Sequence, residues 1–318
     1  MKIVILDSNA VNPGDLSWEI FEEFGQVTVY PRTAPEDVVQ RIGDAEVILI
    51  NKIEITGELL DQCPNLKLIC VQATGYNVVD CEAAKERGVL VCNVPAYGTN
   101  AVAQFTFGLL LELCNRIGLH GQAVQEGKWA SCPDFCFWLT PQMELAGKTL
   151  GIIGFGRIGR AVGKIAKAFG MEVLAYNRSR CPEGEEIGRY VSLDELLTQS
   201  DIVSLHCPLT QENAELINGE SLSKMKDGAI LLNTARGGLI SETAVSQALR
   251  SGKLRGYGAD VVTREPIDPA NPLLAAPNCI LTPHMAWAPV ESRKRIQVCT
   301  AESIRGYLAG KPVHVVNL

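Results

Sequence analysis

"TLGIIGFGRIGRAVGKIAKAFG", residues 149–170, sets the reading of the whole chain. An apolar run leads into Gly154-Phe155-Gly156-Arg157-Ile158-Gly159, and a helical pattern follows. In a strand–turn–helix unit the first glycine permits a tight turn. The second clears the backbone for a pyrophosphate, and the third lets helix and strand pack closely. The helix N-terminus then offers amide N–H groups and a positive dipole end to the phosphates. Alone, such a triplet is a weak signal. Here a further apolar run ends at Tyr176, which supplies the βαβ context that the fingerprint of a dinucleotide site requires.

Working outward, short apolar runs alternate with helical patterns on both sides of this turn. Strands are expected at 2–7, 27–30, 47–50, 66–72 and 89–92, then at 149–153, 172–176, 202–206, 229–233, 256–260 and 279–282. A long helix is expected over 100–126, and another over 289–309, stopped by Gly310 and Pro312. Parallel strands need crossover connections, so this alternation implies βαβ units. The runs are apolar throughout rather than alternating, as sheets covered on both faces require. The expected fold is α/β, with two doubly wound parallel-sheet domains.

Length and composition agree. The 318 residues suffice for about two domains, and 47% hydrophobic with 20% charged residues suits a globular chain with a sizeable core. A net charge of -7 argues against nucleic acid as a partner. The most apolar long stretch, 101–119, is interrupted by Gln104, Glu112, Asn115 and Arg116, so no membrane span is expected. The opening "MKIVILD" does not read as a secretory signal. The 11 cysteines are scattered and odd in number, and Cys132 and Cys136 have no second pair beside them. Neither a disulfide framework nor a metal site is expected, and a cytoplasmic location is.

Charged and titratable residues concentrate just after the expected strands. His206 closes one in "LHCPLT", and Arg236 follows another in "LLNTARGGLI". Glu265 stands in "GADVVTREP" and His284 in "LTPHMAW". Each alone is an ordinary surface or packing residue. Together, on the edge where an α/β sheet presents its ligand, they describe carbonyl reduction. Arg236 offers a planar fork for a carboxylate, and His284, with Glu265 as its carboxylate partner, offers a proton.

These motifs, in this order and spacing, resemble the D-isomer-specific 2-hydroxyacid dehydrogenases over nearly the whole chain. The resemblance implies a discontinuous, flavodoxin-like substrate domain (1–98 plus 289–318) and a Rossmann coenzyme domain (99–288). It implies a homodimer and catalytic roles for Arg236, Glu265 and His284. It also implies that Thr74 and Gly75, in "VQATGYNVVD", meet the substrate carboxylate alongside Arg236 and His284. Contacts to a dinucleotide are carried over to Gly154, Gly156, Arg157, Ile158, Gly159, Asn177, Arg178, Ser179, His206, Cys207, Pro208, Thr234, Ala235, Asp260 and Thr99. Formate-oxidising relatives have glutamine where Glu265 stands, which points here to a hydroxyacid.

The stretch "DFCFWLTPQMELAGKTLGIIGFG" resembles the glycerate dehydrogenase, or hydroxypyruvate reductase, branch. Gln104 departs from the glutamate common elsewhere in the family. Trp138, Met285 and Trp287 are expected to narrow the cleft and favour a small keto acid. Another small 2-keto acid, or a dinucleotide-sensing binding protein of the same fold, are the competing readings. The cofactor is read from "LAYNRSR", residues 174–180. An NAD-preferring domain has an acid at the end of the second strand for the ribose 2′-OH. Asn177 takes that place uncharged, with Arg178, Ser179 and Arg180 after it, so NADP is expected ahead of NAD.

Overall fold

A computed structural model describes residues 1–318 in full. The chain divides into two compact units, Met1–Gly98 with Trp287–Leu318, and Thr99–Ala286. The second crossing, expected after 288, falls between Ala286 and Trp287. The Ala286 amide donates to Asp260 of its own unit at 2.7 Å, while Trp287 packs edge to face on Tyr97.

The first unit carries β1 (Lys2–Ile5), β2 (Gln26–Val29), β3 (Val47–Ile50), β4 (Leu68–Val71) and β5 (Leu90–Cys92). They pair in parallel in the order β2-β1-β3-β4-β5, the flavodoxin-like order. The apolar runs follow from this: β3 and β4 are buried at every position because helices cover both faces. Ile69 and Val71 face one core layer, and Leu68 and Cys70 face Ala301 and Ile304 of the returning helix Val290–Leu308. A two-point ion pair of Arg293 with Asp15, at 2.6 and 2.7 Å, fastens the start of that helix.

The second unit carries β6 (Thr149–Ile153), β7 (Glu172–Tyr176), β8 (Arg189–Tyr190), β9 (Ile202–Leu205), β10 (Ala229–Asn233), β11 (Leu254–Ala259) and β12 (Cys279–Leu281). Their order is β12-β11-β10-β9-β6-β7-β8, all parallel. The chain runs from β6 to β7 on one side and later returns to β9 on the other. The carboxyl ends of β6 and β9 therefore flank the crevice where such sheets bind ligands.

Two elements differ from the sequence reading. The single helix expected over 100–126 is two, Thr99–Asn115 and Ile117–Gln125, because Arg116 sits in the left-handed region at φ 49°. No glycine or proline marks that break. It is held by tertiary bonds: the His120 ring meets the Arg116 carbonyl at 2.7 Å, and the guanidinium meets Asn278 at 2.7 Å. The edge strand β8 was also missed, since two residues are too few to show a period. All 11 cysteines are free thiols, and no helix is long and apolar enough to cross a membrane.

Candidate active site

The three glycines after β6 have three separate reasons to be glycine. Gly154 turns at φ 93°, and a Cβ there would lie 2.4 Å from the Cys207 amide nitrogen at the end of β9. A Cβ on Gly159 would lie 2.2 Å from the Gly154 carbonyl oxygen, so it sets how closely the helix Arg157–Ala168 approaches its strand. A Cβ on Gly156 would meet nothing within 4 Å. No neighbouring atom of the protein requires glycine there. Gly156 caps the helix without a side-chain hydrogen bond, so the first amides at Arg157, Ile158 and Gly159 point outward with no cap. These features fit a dinucleotide pyrophosphate.

At the end of β7, Asn177 is a brace. Its Oδ1 accepts from the Phe155 amide at 3.2 Å, and its Nδ2 donates to the Ser179 carbonyl at 2.8 Å. It ties the second-strand loop to the glycine turn, while Arg178, Ser179 and Arg180 are exposed. No acid occupies this loop between Tyr176 and Cys181.

The end of β9 supplies His206, Cys207 and Pro208. His206 Nε2 lies 2.8 Å from Ser204 Oγ, and Nδ1 is sealed from solvent without a partner. Burial pushes this imidazole down to about 3, which keeps it neutral. Burial likewise pushes the Cys207 thiol up. Proton transfer is not a task for either group.

The end of β10 presents Thr234, Ala235 and Arg236. Thr106, on the helix that Thr99 begins, donates its hydroxyl to the Val102 carbonyl at 2.8 Å. Thr234 is therefore the donor in the 2.9 Å bond between the two threonine hydroxyls. The buried Asn233 receives the Ala235 amide at 3.0 Å and donates to the Arg236 carbonyl at 2.9 Å, holding the loop that projects an exposed guanidinium. At Gly237 a Cβ would fall 1.9 Å from the Val262 carbonyl carbon. The Arg236 loop thus packs backbone to backbone on the loop that leads to Glu265.

Beyond β11 and β12 the geometry closes. Glu265 Oε2 lies 2.7 Å from His284 Nδ1, both side chains about a third exposed at 38% and 34%. His284 stands in the left-handed region at φ 53°. Asp260, 1% exposed, brackets it from both sides. One oxygen accepts from the Thr282 hydroxyl at 2.6 Å and the Met285 amide at 2.9 Å; the other takes the Ala286 amide at 2.7 Å. Asp260, expected among the cofactor contacts, here spends its carboxylate on the residues flanking the histidine. Glu242 was missed altogether. It accepts from the Thr263 amide at 2.8 Å and from Asn271 at 2.9 Å, steadying the Glu265 loop. Only its place in the first turn of a helix after "RGGLIS" could have hinted at this.

Thr74 and Gly75 lie in the first unit, exposed in the loop after β4. The Thr74 hydroxyl donates to the Val94 carbonyl at 2.9 Å, and Asn93 holds the Thr74 carbonyl at 2.8 Å. Trp138 and Met285 are exposed, at 70% and 45%, and Gln104 is exposed on its helix. A cavity of about 940 Å³ in the second unit opens beside Lys148, Asp201 and Arg255, at the amino ends of the strands.

Comparison with known proteins agrees with this geometry. Residues 107–286 match the D-isomer specific 2-hydroxyacid dehydrogenase, NAD binding domain. A hydroxypyruvate reductase of Blautia hydrogenotrophica is 53% identical, over 100% of both chains. A glycerate dehydrogenase of Methylorubrum extorquens is 40% identical over 99% of each. Among solved structures, the D-lactate dehydrogenase of Escherichia coli superposes with a TM-score of 0.88 at 30% identity, covering 99% of this chain and 100% of that one. With the glycine turn, the uncapped helix and the Glu265–His284 pair on one sheet edge, the chain belongs to the D-isomer specific 2-hydroxyacid dehydrogenases, nicotinamide-dinucleotide-dependent oxidoreductases.

Proposed function

We propose that this protein reduces hydroxypyruvate to D-glycerate, and glyoxylate to glycolate, with NADPH preferred to NADH. The observation that carries the chemistry is the 2.7 Å contact of Glu265 with His284, beside a loop that projects Arg236. A bound reduced dinucleotide supplies the hydride to the carbonyl carbon. The carboxylate of Glu265 holds Nδ1 of His284, so a proton delivered to the nascent alkoxide oxygen passes through Nε2. Arg236 pairs with the substrate carboxylate through two N–H donors, which orients the carbonyl. Within the first unit, Thr74 and Gly75 are assigned as the substrate-binding residues. The names of the 53% and 40% identical relatives support the substrate.

Gly154, Gly156, Arg157, Ile158 and Gly159 receive the pyrophosphate. His206, Cys207, Pro208, Thr234, Ala235, Asp260 and Thr99 complete the dinucleotide site. The preference for NADPH rests on Arg178, Ser179 and Arg180: the loop holds two cations and a hydroxyl, and Asn177 brings no charge to repel a 2′-phosphate. The protein acts as a cytoplasmic homodimer. The many free thiols support the compartment, and exposed Ile117, Phe135 and Trp138 support a second copy as partner.

The test is turnover of hydroxypyruvate, glyoxylate and phenylpyruvate, each with NADPH and NADH, followed by nicotinamide absorbance. Highest kcat/KM for hydroxypyruvate with NADPH is expected. Preference for phenylpyruvate would contradict the substrate, and preference for NADH the cofactor.

A further inference from the structure

Tyr190 lies on β8, the edge strand next to β7, and its ring is the meeting point of the cofactor-facing segments. Phe155, the residue between the first two glycines of the turn, meets the ring edge-on at 5.7 Å. The Arg180 guanidinium lies over the ring, 5.7 Å from its centroid, without an acidic partner. The hydroxyl is 3.7 Å from Cys181 Sγ, and that sulfur also receives Arg160 Nη1 at 2.9 Å. Gly184 admits the ring, since a Cβ there would fall 2.2 Å from the tyrosine oxygen.

We propose that Tyr190 is a positioning residue for recognition of the dinucleotide 2′-phosphate, acting through Arg180; this rests on the reading that the enzyme prefers NADPH. A guanidinium drawn to an aromatic face by the ring quadrupole is held without an acid, so its N–H donors remain for an anion. The ring thus restricts Arg180 before the cofactor arrives while keeping its hydrogen-bonding edge available. Ordering a long side chain in advance strengthens binding without adding a contact to the ligand. Arg178, on the same loop, has no such support. The assignment divides the loop into one free cation and one preorganised cation, and gives the edge strand a role in cofactor choice.

The experiment is steady-state kinetics at saturating hydroxypyruvate, varying NADPH and NADH in turn. The proteins are wild type, Tyr190→Leu, Tyr190→Phe, Arg180→Ala and the Tyr190→Leu/Arg180→Ala double variant. An exposed cation–ring contact corresponds to about a two- to fivefold effect. Tyr190→Leu is expected to raise KM for NADPH by about that factor, leaving kcat and KM for NADH unchanged. Tyr190→Phe keeps the ring and stays near wild type. In the Arg180→Ala background, Tyr190→Leu changes nothing further, because its effect runs through the arginine. Equal rises in KM for both cofactors, or the same rise with and without Arg180, would overturn the proposal. A wild type that favours NADH, with Arg180→Ala silent, would defeat the NADPH reading itself. An effect of Arg180→Ala that Tyr190→Leu does not share defeats only the role of Tyr190. Should the leucine variant fail to fold, Arg180→Lys carries the test with Tyr190 in place. Lysine keeps the charge but lacks the planar face, so KM for NADPH should rise similarly; an unchanged KM overturns the proposal.

Discussion

Glu265 Oε2 stands 2.7 Å from His284 Nδ1, although the two residues follow different strands and nineteen positions separate them. The loop bearing Glu265 is steadied by Glu242, and the loop bearing His284 by Asp260. Neither side chain has to search for the other. In Glu265→Gln the charge is lost while the shape is kept. We expect kcat for hydroxypyruvate to fall on the order of tenfold or more, part of the about 10²–10⁴ that general acid catalysis supplies. Dinucleotide Kd should hold. Unchanged kcat would show that the carboxylate is dispensable.

The glycine turn offers a paired test. In Gly156→Ala the added methyl meets open space in the protein, so thermal stability of the ligand-free enzyme should stay at wild type. The same methyl stands where the pyrophosphate approaches, and an overlap of about 1–3 kcal/mol weakens dinucleotide binding by about 5- to 150-fold. In Gly159→Ala the methyl falls 2.2 Å from the Gly154 carbonyl oxygen, so the fold itself should lose stability. Calorimetric Kd together with Tm separates the two. Normal dinucleotide affinity in Gly156→Ala would remove the pyrophosphate from this turn.

Arg236→Lys keeps the positive charge and loses the planar fork. Because the guanidinium is assigned to the substrate carboxylate, KM for hydroxypyruvate should rise by about tenfold, the equivalent of about 1.4 kcal/mol for one charge-assisted contact. The stability of the fold should not change, since the side chain is exposed. Equal KM in variant and wild type would make Arg236 a surface charge only.

His206 links stability to pH. Its imidazole, pushed down to about 3 by burial, stays neutral in the fold, whereas in the unfolded chain it titrates near about 6.5. The folded value is depressed, so the contribution is complete above about 6.5 and lost as pH falls toward 3, at up to about 1.4 kcal/mol per pH unit. The Tm advantage of wild type over His206→Gln should therefore shrink between pH 7 and pH 5. A constant advantage would mean that the ring takes up a proton without unfolding.

What could be read along the sequence, and what could not, follows from distance. The glycine turn and the strand end at Asn233 are marked by neighbouring residues, and the structure has them where the pattern places them; the last strand, expected to reach Thr282, stops at Leu281. The break at Arg116 is invisible, because His120 and Asn278 enforce it rather than a glycine or proline. Asn177 reads as a substitute for a ribose-binding acid. Only the fold brings the Phe155 amide, twenty-two positions upstream, to its oxygen. Asp260, Glu242 and Tyr190 likewise act on residues that periodicity cannot connect to them.

The most direct measurement is kcat for hydroxypyruvate in His284→Ala beside wild type, with dinucleotide Kd measured on the same preparations. In the variant, kcat should drop by about 10²–10⁴ while Kd stays within experimental error, because the imidazole is assigned to deliver the proton and not to hold the dinucleotide. Turnover near the wild-type rate in the purified variant would contradict that assignment.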